Sequence, residues 1–411
     1  MRRRAFLRAV GAVVLGGCGG VSARTAVAAL LPRRAAVSFL VPMDGVQPEP
    51  LRAYGVVYRA LARGGRADWL LNFRGGAFLV HDAEAFEEAL SRGIMTEDGA
   101  AAAGAVEGAM AAGATLPMRL EVAPRVAVYA PPFAAPWDDA VRLALEYAEI
   151  PYRAVWDHEV LGPGLADVEW LHLHHEDFTG QYGKYGAGVH ATDWYRRAVA
   201  LDRTTATEFG YRDVSALKTA VARAIGAYVE RGGFLFAMCA ATETLDVALA
   251  GEPPDFGATL AFTEFRREAD PVGPFSTIDG HRVNTPGRLP LGEVEIASFA
   301  AHVDPVAAML TQNHDASFAD WYGLTTSFRP ATLKPAVVVL AESAGSGLAK
   351  YVHGDHGQGT FTFLGGHDPE DASHAVGDPP TDLRLHPRSP GYRLILNNVL
   401  FPAANEPDSK T

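Results

Sequence analysis

The chain has 411 residues, 48% of them apolar, which is enough for one large or two ordinary globular domains. Its 48 Asp and Glu against 36 Lys and Arg leave a net charge of −12, which argues against nucleic acid or an anionic membrane surface as partner. This composition also excludes a fibre and an extended disordered chain.

The first residues read as an address rather than as fold. Arg3-Arg4-Ala5-Phe6-Leu7-Arg8 has the form of a twin-arginine export motif, and Ala9 to Ala23 then runs without a charge. That run is too short and glycine-rich to span a bilayer, which takes about 20 apolar residues. Residues 1–28 therefore read as a signal peptide. Two endings fit it: Ala26-Val27-Ala28 offers small residues for cleavage, and Leu15-Gly16-Gly17-Cys18 resembles a lipobox that would leave Cys18 lipidated. The expected location is accordingly the periplasm, or the membrane through a lipid on Cys18. The chain has 2 cysteines, so Cys239 is the single thiol expected in the mature protein. In an oxidising compartment such a thiol is either a small buried hydrophobe or a reactive group.

Residues 36–124 form a first α/β segment. Ala36–Pro42 reads as a strand and Glu49–Arg63 as a helix; Asp68–Phe73 and Ala77–Val80 read as strands around Gly75-Gly76. Ala83–Leu90 and Gly99–Ala112 have helical character. The segment amounts to about one βαβ unit, standing either as a domain or as extra strands of the main sheet.

From Arg125 the alternation is regular. Strands are expected at Arg125–Ala130, Pro151–Trp156, Trp170–His175 and Phe234–Met238. Helices are expected at Asp138–Glu149, Trp194–Glu208, Ser215–Arg231 with Ser215 as its N-cap, and Ala240–Leu249. Gly251–Arg329 breaks the rhythm and reads as an insertion; strands resume at Pro335–Glu342, Ala349–His353 and Thr360–Leu364, and Tyr392–Leu400 is a closing helix. Such alternation predicts an α/β fold with a doubly wound, mostly parallel sheet over residues 125–402.

The order of elements, with Phe234-Leu235-Phe236-Ala237-Met238-Cys239 and Gly359-Thr360-Phe361-Thr362-Phe363-Leu364-Gly365-Gly366-His367-Asp368, resembles the class I glutamine amidotransferase-like superfamily, whose fold is flavodoxin-like. The closing segment, Gly365 to Glu370 followed by Tyr392 to Asn398, is similar to its trehalose-utilisation branch. Three blocks resemble an exported bacterial family often labelled asparagine synthetase B: Pro42-Met43-Asp44 with Ala53-Tyr54-Gly55, Leu71 to Gly76, and Trp170 to Gly183. Asparagine synthetase chemistry itself does not fit, since position 2 is Arg2 rather than cysteine and no Ser-Gly-Gly pyrophosphate loop is present.

The resemblance implies Cys239 as nucleophile at a strand-to-helix turn, where the helix N-terminus favours a thiolate and free amides can hold an oxyanion. It implies His367 as base, with a carboxylate to orient it; the position two residues on is Pro369, so Glu370 is the candidate, with Asp368 as a pocket residue. The superfamily carries glycine two residues either side of the cysteine, and this chain has Ala237 and Ala241, which leaves a structural elbow as the alternative. His172 and His174 should share one face of their strand, with His175 opposite. His174, His175, Glu176 and Asp177 are expected to line a substrate pocket, and Arg74 to bind a carboxylate or sugar oxygen. A metal on the histidine cluster is the weaker alternative, and no metal or cofactor is expected. The expected activity is that of an exported amidohydrolase acting on a small amide or related acyl substrate. The rival is a non-catalytic sugar- or peptide-binding protein, and a metal-dependent hydrolase comes third. Nothing in the sequence sets the oligomeric state.

Overall fold

The structure, a computed structural model, describes residues 37–174, 176–178, 180, 192–250, 295–296, 301–303, 324–325, 330, 333, 337–343, 347, 349–366, 368–371 and 377–404. The expected signal peptide with Cys18, His175, His367 and most of the expected insertion lie outside the described residues. No helix among the described residues is long and apolar enough to cross a membrane.

The protein is α/β, with two main sheets. The first comprises β1 (Phe39–Val41), β2 (Arg66–Leu71), β3 (Ala77–His81), β4 (Glu97–Asp98) and β5 (Leu116–Leu120) in the order β4-β1-β3-β2-β5, antiparallel throughout. Helices α1 (Pro50–Ala62) and α2 (Ala83–Ser91) contribute to the core on one face, and α3 (Gly99–Ala111) packs on the other through Ala102 and Val106. The expected βαβ unit is thus split. Gly75 and Gly76, at φ of 73° and 80°, turn the chain back so that β3 inserts between β1 and β2. β5 escaped the sequence reading because Pro117 interrupts its pattern; it is the edge strand beside β2, where proline is tolerated.

The second sheet has eight strands in the order β11-β13-β14-β15-β9-β8-β6-β7. These are β6 (Val126–Tyr129), β7 (Tyr152–Val155), β8 (Trp170–Leu173), β9 (Phe234–Met238), β11 (Ala301–Val303), β13 (Val338–Ser343), β14 (Ala349–His356) and β15 (Gly359–Leu364). β7, β6, β8, β9 and β15 run parallel, and β11, β13 and β14 extend the sheet antiparallel. A short pair, β10 (Glu295–Ile296) and β12 (Leu324–Thr325), forms a separate ribbon. β8 and β9 are buried along their whole length, as strands covered on both faces must be.

One face of this sheet carries α4 (Ala140–Ala148) and α9 (Pro390–Leu400), and shares its core with the first sheet. The other carries α5 (Asp157–Leu161), α6 (Asp193–Glu208), α7 (Val214–Glu230) and α8 (Ala240–Ala250). Where α1 crosses α4, a Cβ on Gly55 would lie 1.7 Å from the Ala148 carbonyl oxygen, so the two backbones meet directly and only glycine fits. Arg59 then donates to the Ala148 and Glu149 carbonyls at 3.0 and 2.7 Å and satisfies the end of α4. The cap of α7 is Asp213 rather than Ser215: its carboxylate accepts from the Ala216 amide at 2.8 Å. His353 sits inside β14 and bonds Thr362 at 3.1 Å, and the hairpin tip is Gly357-Gln358.

Candidate functional site

The parallel strands end together at one edge of the second sheet, and the chemistry-bearing residues gather there. β9 runs straight into Cys239, which turns the chain into α8 at φ of 49°. A non-glycine residue in this left-handed region costs roughly 1 kcal/mol or more. Hydrogen bonds hold the turn: the Cys239 amide donates to the Leu364 carbonyl at 3.0 Å, and the Thr242 amide and hydroxyl donate to the Cys239 carbonyl at 3.3 and 2.8 Å. Ala237 and Ala241 are both fully buried in the apolar cluster of the opposite face, so their methyls are accommodated there. Cys239 is only 3% exposed. The Ala241 amide, one of those expected to be free for an oxyanion, donates instead to the His174 carbonyl at 3.0 Å.

That bond places the end of β8 beside the elbow. His172 and His174 share one face of β8, as their spacing requires, and both are fully buried. They converge on Asp139, with His172 Nε2 3.4 Å and His174 Nδ1 3.2 Å from the same carboxylate oxygen. Asp139 is there because it caps α4, that oxygen accepting from the Val141 and Arg142 amides at 2.7 and 3.2 Å. Burial pushes the Asp139 carboxyl up, but His172 and His174 outweigh it and hold it well below the usual carboxylate range. Asp139 follows β6, His172 belongs to β8 and His174 follows it at once. These neighbouring strands flank the point where strand order reverses, and in open α/β sheets ligands bind outside that point.

Glu176 lies between this cluster and a second one. Its carboxylate accepts from the His174 amide at 2.9 Å, and its carbonyl accepts from the Thr244 hydroxyl at 2.8 Å. Burial, with Asp139 adding repulsion, pushes its carboxyl up to about 8, against backbone hydrogen bonds and Lys218. At neutral pH Glu176 is therefore mostly a protonated donor. The second cluster, on the opposite face, was not read from the sequence. Lys218 of α7 donates to Asp157 at 2.9 Å and to the Tyr129 hydroxyl at 3.1 Å, pairs with Asp202 at 3.1 Å, and lies 4.1 Å from the centre of the Trp156 ring. Tyr129 also donates to Asp157. Burial alone would pull Lys218 toward neutrality; Asp157 and Asp202 outweigh it and hold the ammonium above the usual lysine range.

No family model matches the chain, and no curated protein matches it in sequence. Among solved structures the chain is similar to the cytoplasmic protein STM3548 from Salmonella typhimurium, at 11% identity and a TM-score of 0.35, over 69% of this chain and 100% of that one. It is similar to the cytoplasmic protein STM1381 from Salmonella typhimurium LT2 at 16% identity and a TM-score of 0.36, over 65% and 87% of the two chains. A third likeness is to Gan42B, a GH42 beta-galactosidase from G. stearothermophilus, at 10% identity and a TM-score of 0.26, over 70% of this chain and 31% of that one. Likenesses this slight carry no functional argument.

The remaining expected residues divide. Asp177 follows Glu176 at the end of β8, and its carbonyl accepts from the Gly180 amide at 3.1 Å. Asp368 is buried after β15, near enough to Tyr392 to add to the burial that pushes that phenol well up. Glu370 pairs with His386 at 3.1 Å. Arg74, itself at φ of 49°, belongs to the first sheet, where its guanidinium is taken up by Asp44 and by Glu97 at 2.9 Å. The neighbouring Gly75 carbonyl accepts from Arg393 of α9. Sequence reasoning missed Asp139 because its link to the histidines is tertiary. The Asp138-Asp139 pair before an apolar helix is a visible cap signal, but it says nothing about what else the carboxylate touches.

Proposed function

We propose that the protein is an exported amidohydrolase of the class I glutamine amidotransferase-like type, with Cys239 as nucleophile toward an amide or related acyl carbon. The observation that carries this reading is the left-handed backbone of Cys239 between a buried parallel strand and a helix. Strain of that kind at a strand-to-helix turn aims a side chain at the carboxyl edge, where open α/β sheets bind ligands. The parallel strands taken alone run β7-β6-β8-β9-β15, which in chain order is 2-1-3-4-5 and supports a flavodoxin-like core. Glu176, protonated near neutrality, is suited to donate to a substrate carbonyl or leaving group. His367 as base and Glu370 as its orienting carboxylate remain part of the proposal, as does the small-molecule pocket formed with His174, His175, Asp177 and Asp368. The Arg3-Arg4 motif supports export.

The burial of Cys239 and the engaged Ala241 amide favour one rival, a non-catalytic binding protein on the same scaffold. Iodoacetamide titration of the purified protein, with the adduct located by mass, separates the two. A nucleophile alkylates at Cys239 with an apparent pKa below the free-thiol value of about 8.5, and Cys239→Ser abolishes release of ammonia from simple amides. Alkylation only above that pH, or none in the folded protein, rules out the activated thiol.

A further inference from the structure

We infer that Asp139, His172 and His174 form a binding site for one divalent transition-metal ion of the zinc class. The site does not depend on the role given to Cys239.

The decisive atom is Nε2 of His172. Nδ1 of the same ring lies 3.0 Å from the Phe236 carbonyl oxygen, which can only accept, so the ring proton sits on Nδ1. In the neutral imidazole this leaves a lone pair on Nε2. That nitrogen is fully buried and has no hydrogen-bond partner. It faces the Asp139 oxygen at 3.4 Å, so a cation, either a proton or a metal ion, is what would join the two. An imidazole whose outer N–H is fixed by a backbone carbonyl, with its other nitrogen turned toward a carboxylate, is the arrangement by which proteins orient histidine as a metal ligand.

The distances agree with this assignment. A tetrahedral ion with donors at about 2.0–2.1 Å places neighbouring donors about 3.3–3.4 Å apart. His172 Nε2 and His174 Nδ1 lie 3.4 and 3.2 Å from the Asp139 oxygen, and the three groups meet as one cluster with all donor atoms within 4.8 Å of one another. The geometry is built before any ion arrives. β8 and ring contacts with Trp170 and Phe236 restrain His172, backbone bonds to Ala241 and Glu176 hold His174, and the cap of α4 fixes the carboxylate. Two imidazoles with one carboxylate select zinc and its first-row neighbours over magnesium or calcium, which take oxygen donors.

The competing occupant of the same space is a proton, giving a buried imidazolium–aspartate pair. Dialysis of chelator-treated protein against Zn²⁺, and separately against Co²⁺ as a spectroscopic probe, distinguishes them. The expected result is one equivalent of metal per chain, a raised melting temperature with Zn²⁺, and visible ligand-field absorption with Co²⁺. Two conservative variants should each weaken binding at least tenfold. Asp139→Asn keeps the helix-capping oxygen, and His172→Asn keeps a donor that can reach the Phe236 carbonyl. Cys239→Ser should bind metal like the wild type, so failure of the thiol proposal and failure of this one are separate outcomes. Only trace uptake by the wild type would overturn the site, and this reading does not depend on any variant folding. So would unchanged affinity in both variants, loss of binding in Cys239→Ser, or nitrogen NMR showing His172 doubly protonated and unmoved by Zn²⁺.

Discussion

Two buried polar clusters sit at the ends of the same parallel strands, on opposite faces of one sheet. Around Lys218 every charge is answered: the ammonium reaches Asp157, Asp202 and Tyr129, and Tyr129 itself donates to Asp157. Around Asp139 the match is incomplete, because two ring nitrogens face one carboxylate oxygen and His172 Nε2 has no hydrogen bond. The difference separates a group that ties elements together from a group arranged to receive something. Lys218 links α7 to β6, α5 and α6 through its bonds to Tyr129, Asp157 and Asp202. Asp139 is held by the cap of α4, and the His172 ring by the Phe236 carbonyl and its ring contacts.

Removing the central cation should have the largest effect. Lys218→Met leaves Asp157 and Asp202 buried without their partner and should cost about 3–5 kcal/mol in urea unfolding; a loss under 1 kcal/mol would remove the contrast between the clusters. The pH dependence follows from the same cation. Lys218 binds its proton more tightly in the folded chain, so its contribution is fully present below the unfolded value of 10.5 and is lost as pH rises through the raised folded value. Tyr129, raised above its ordinary value of 10.0, acts in the same direction. Wild-type stability should fall in that alkaline window, and Lys218→Met should flatten the slope. In metal-free protein His172→Asn should cost only about 1–2 kcal/mol, since the bond to the Phe236 carbonyl can be kept. Cys239→Ser should be smallest, within about 1 kcal/mol, while removing all alkylation of the folded protein.

Some of this was legible before the structure. The α/β alternation was readable because strands buried on both faces are runs of apolar residues, as in Phe234–Met238, and because helices carry their own start signals. The elbow at Cys239 was readable for the same reason, being the residue between such a run and a helix. The first sheet was less legible: β4 has two residues and β5 contains Pro117, so neither shows a strand period. The pairing of Arg74 with Asp44 and Glu97 was not legible, because it joins segments distant in sequence.

By itself, then, the order of residues determined local matters: which segments are helix or strand, that His172 and His174 share a face, and that Cys239 sits at a turn. Those follow from backbone periodicity and from side chains acting on their immediate neighbours. What only the tertiary structure decided is which charges meet. Asp139 lies 33 positions before His172 in the sequence, and Lys218 lies 61 positions after Asp157. Both meetings depend on strand order and on the register of β6 against β8, and no local pattern encodes either.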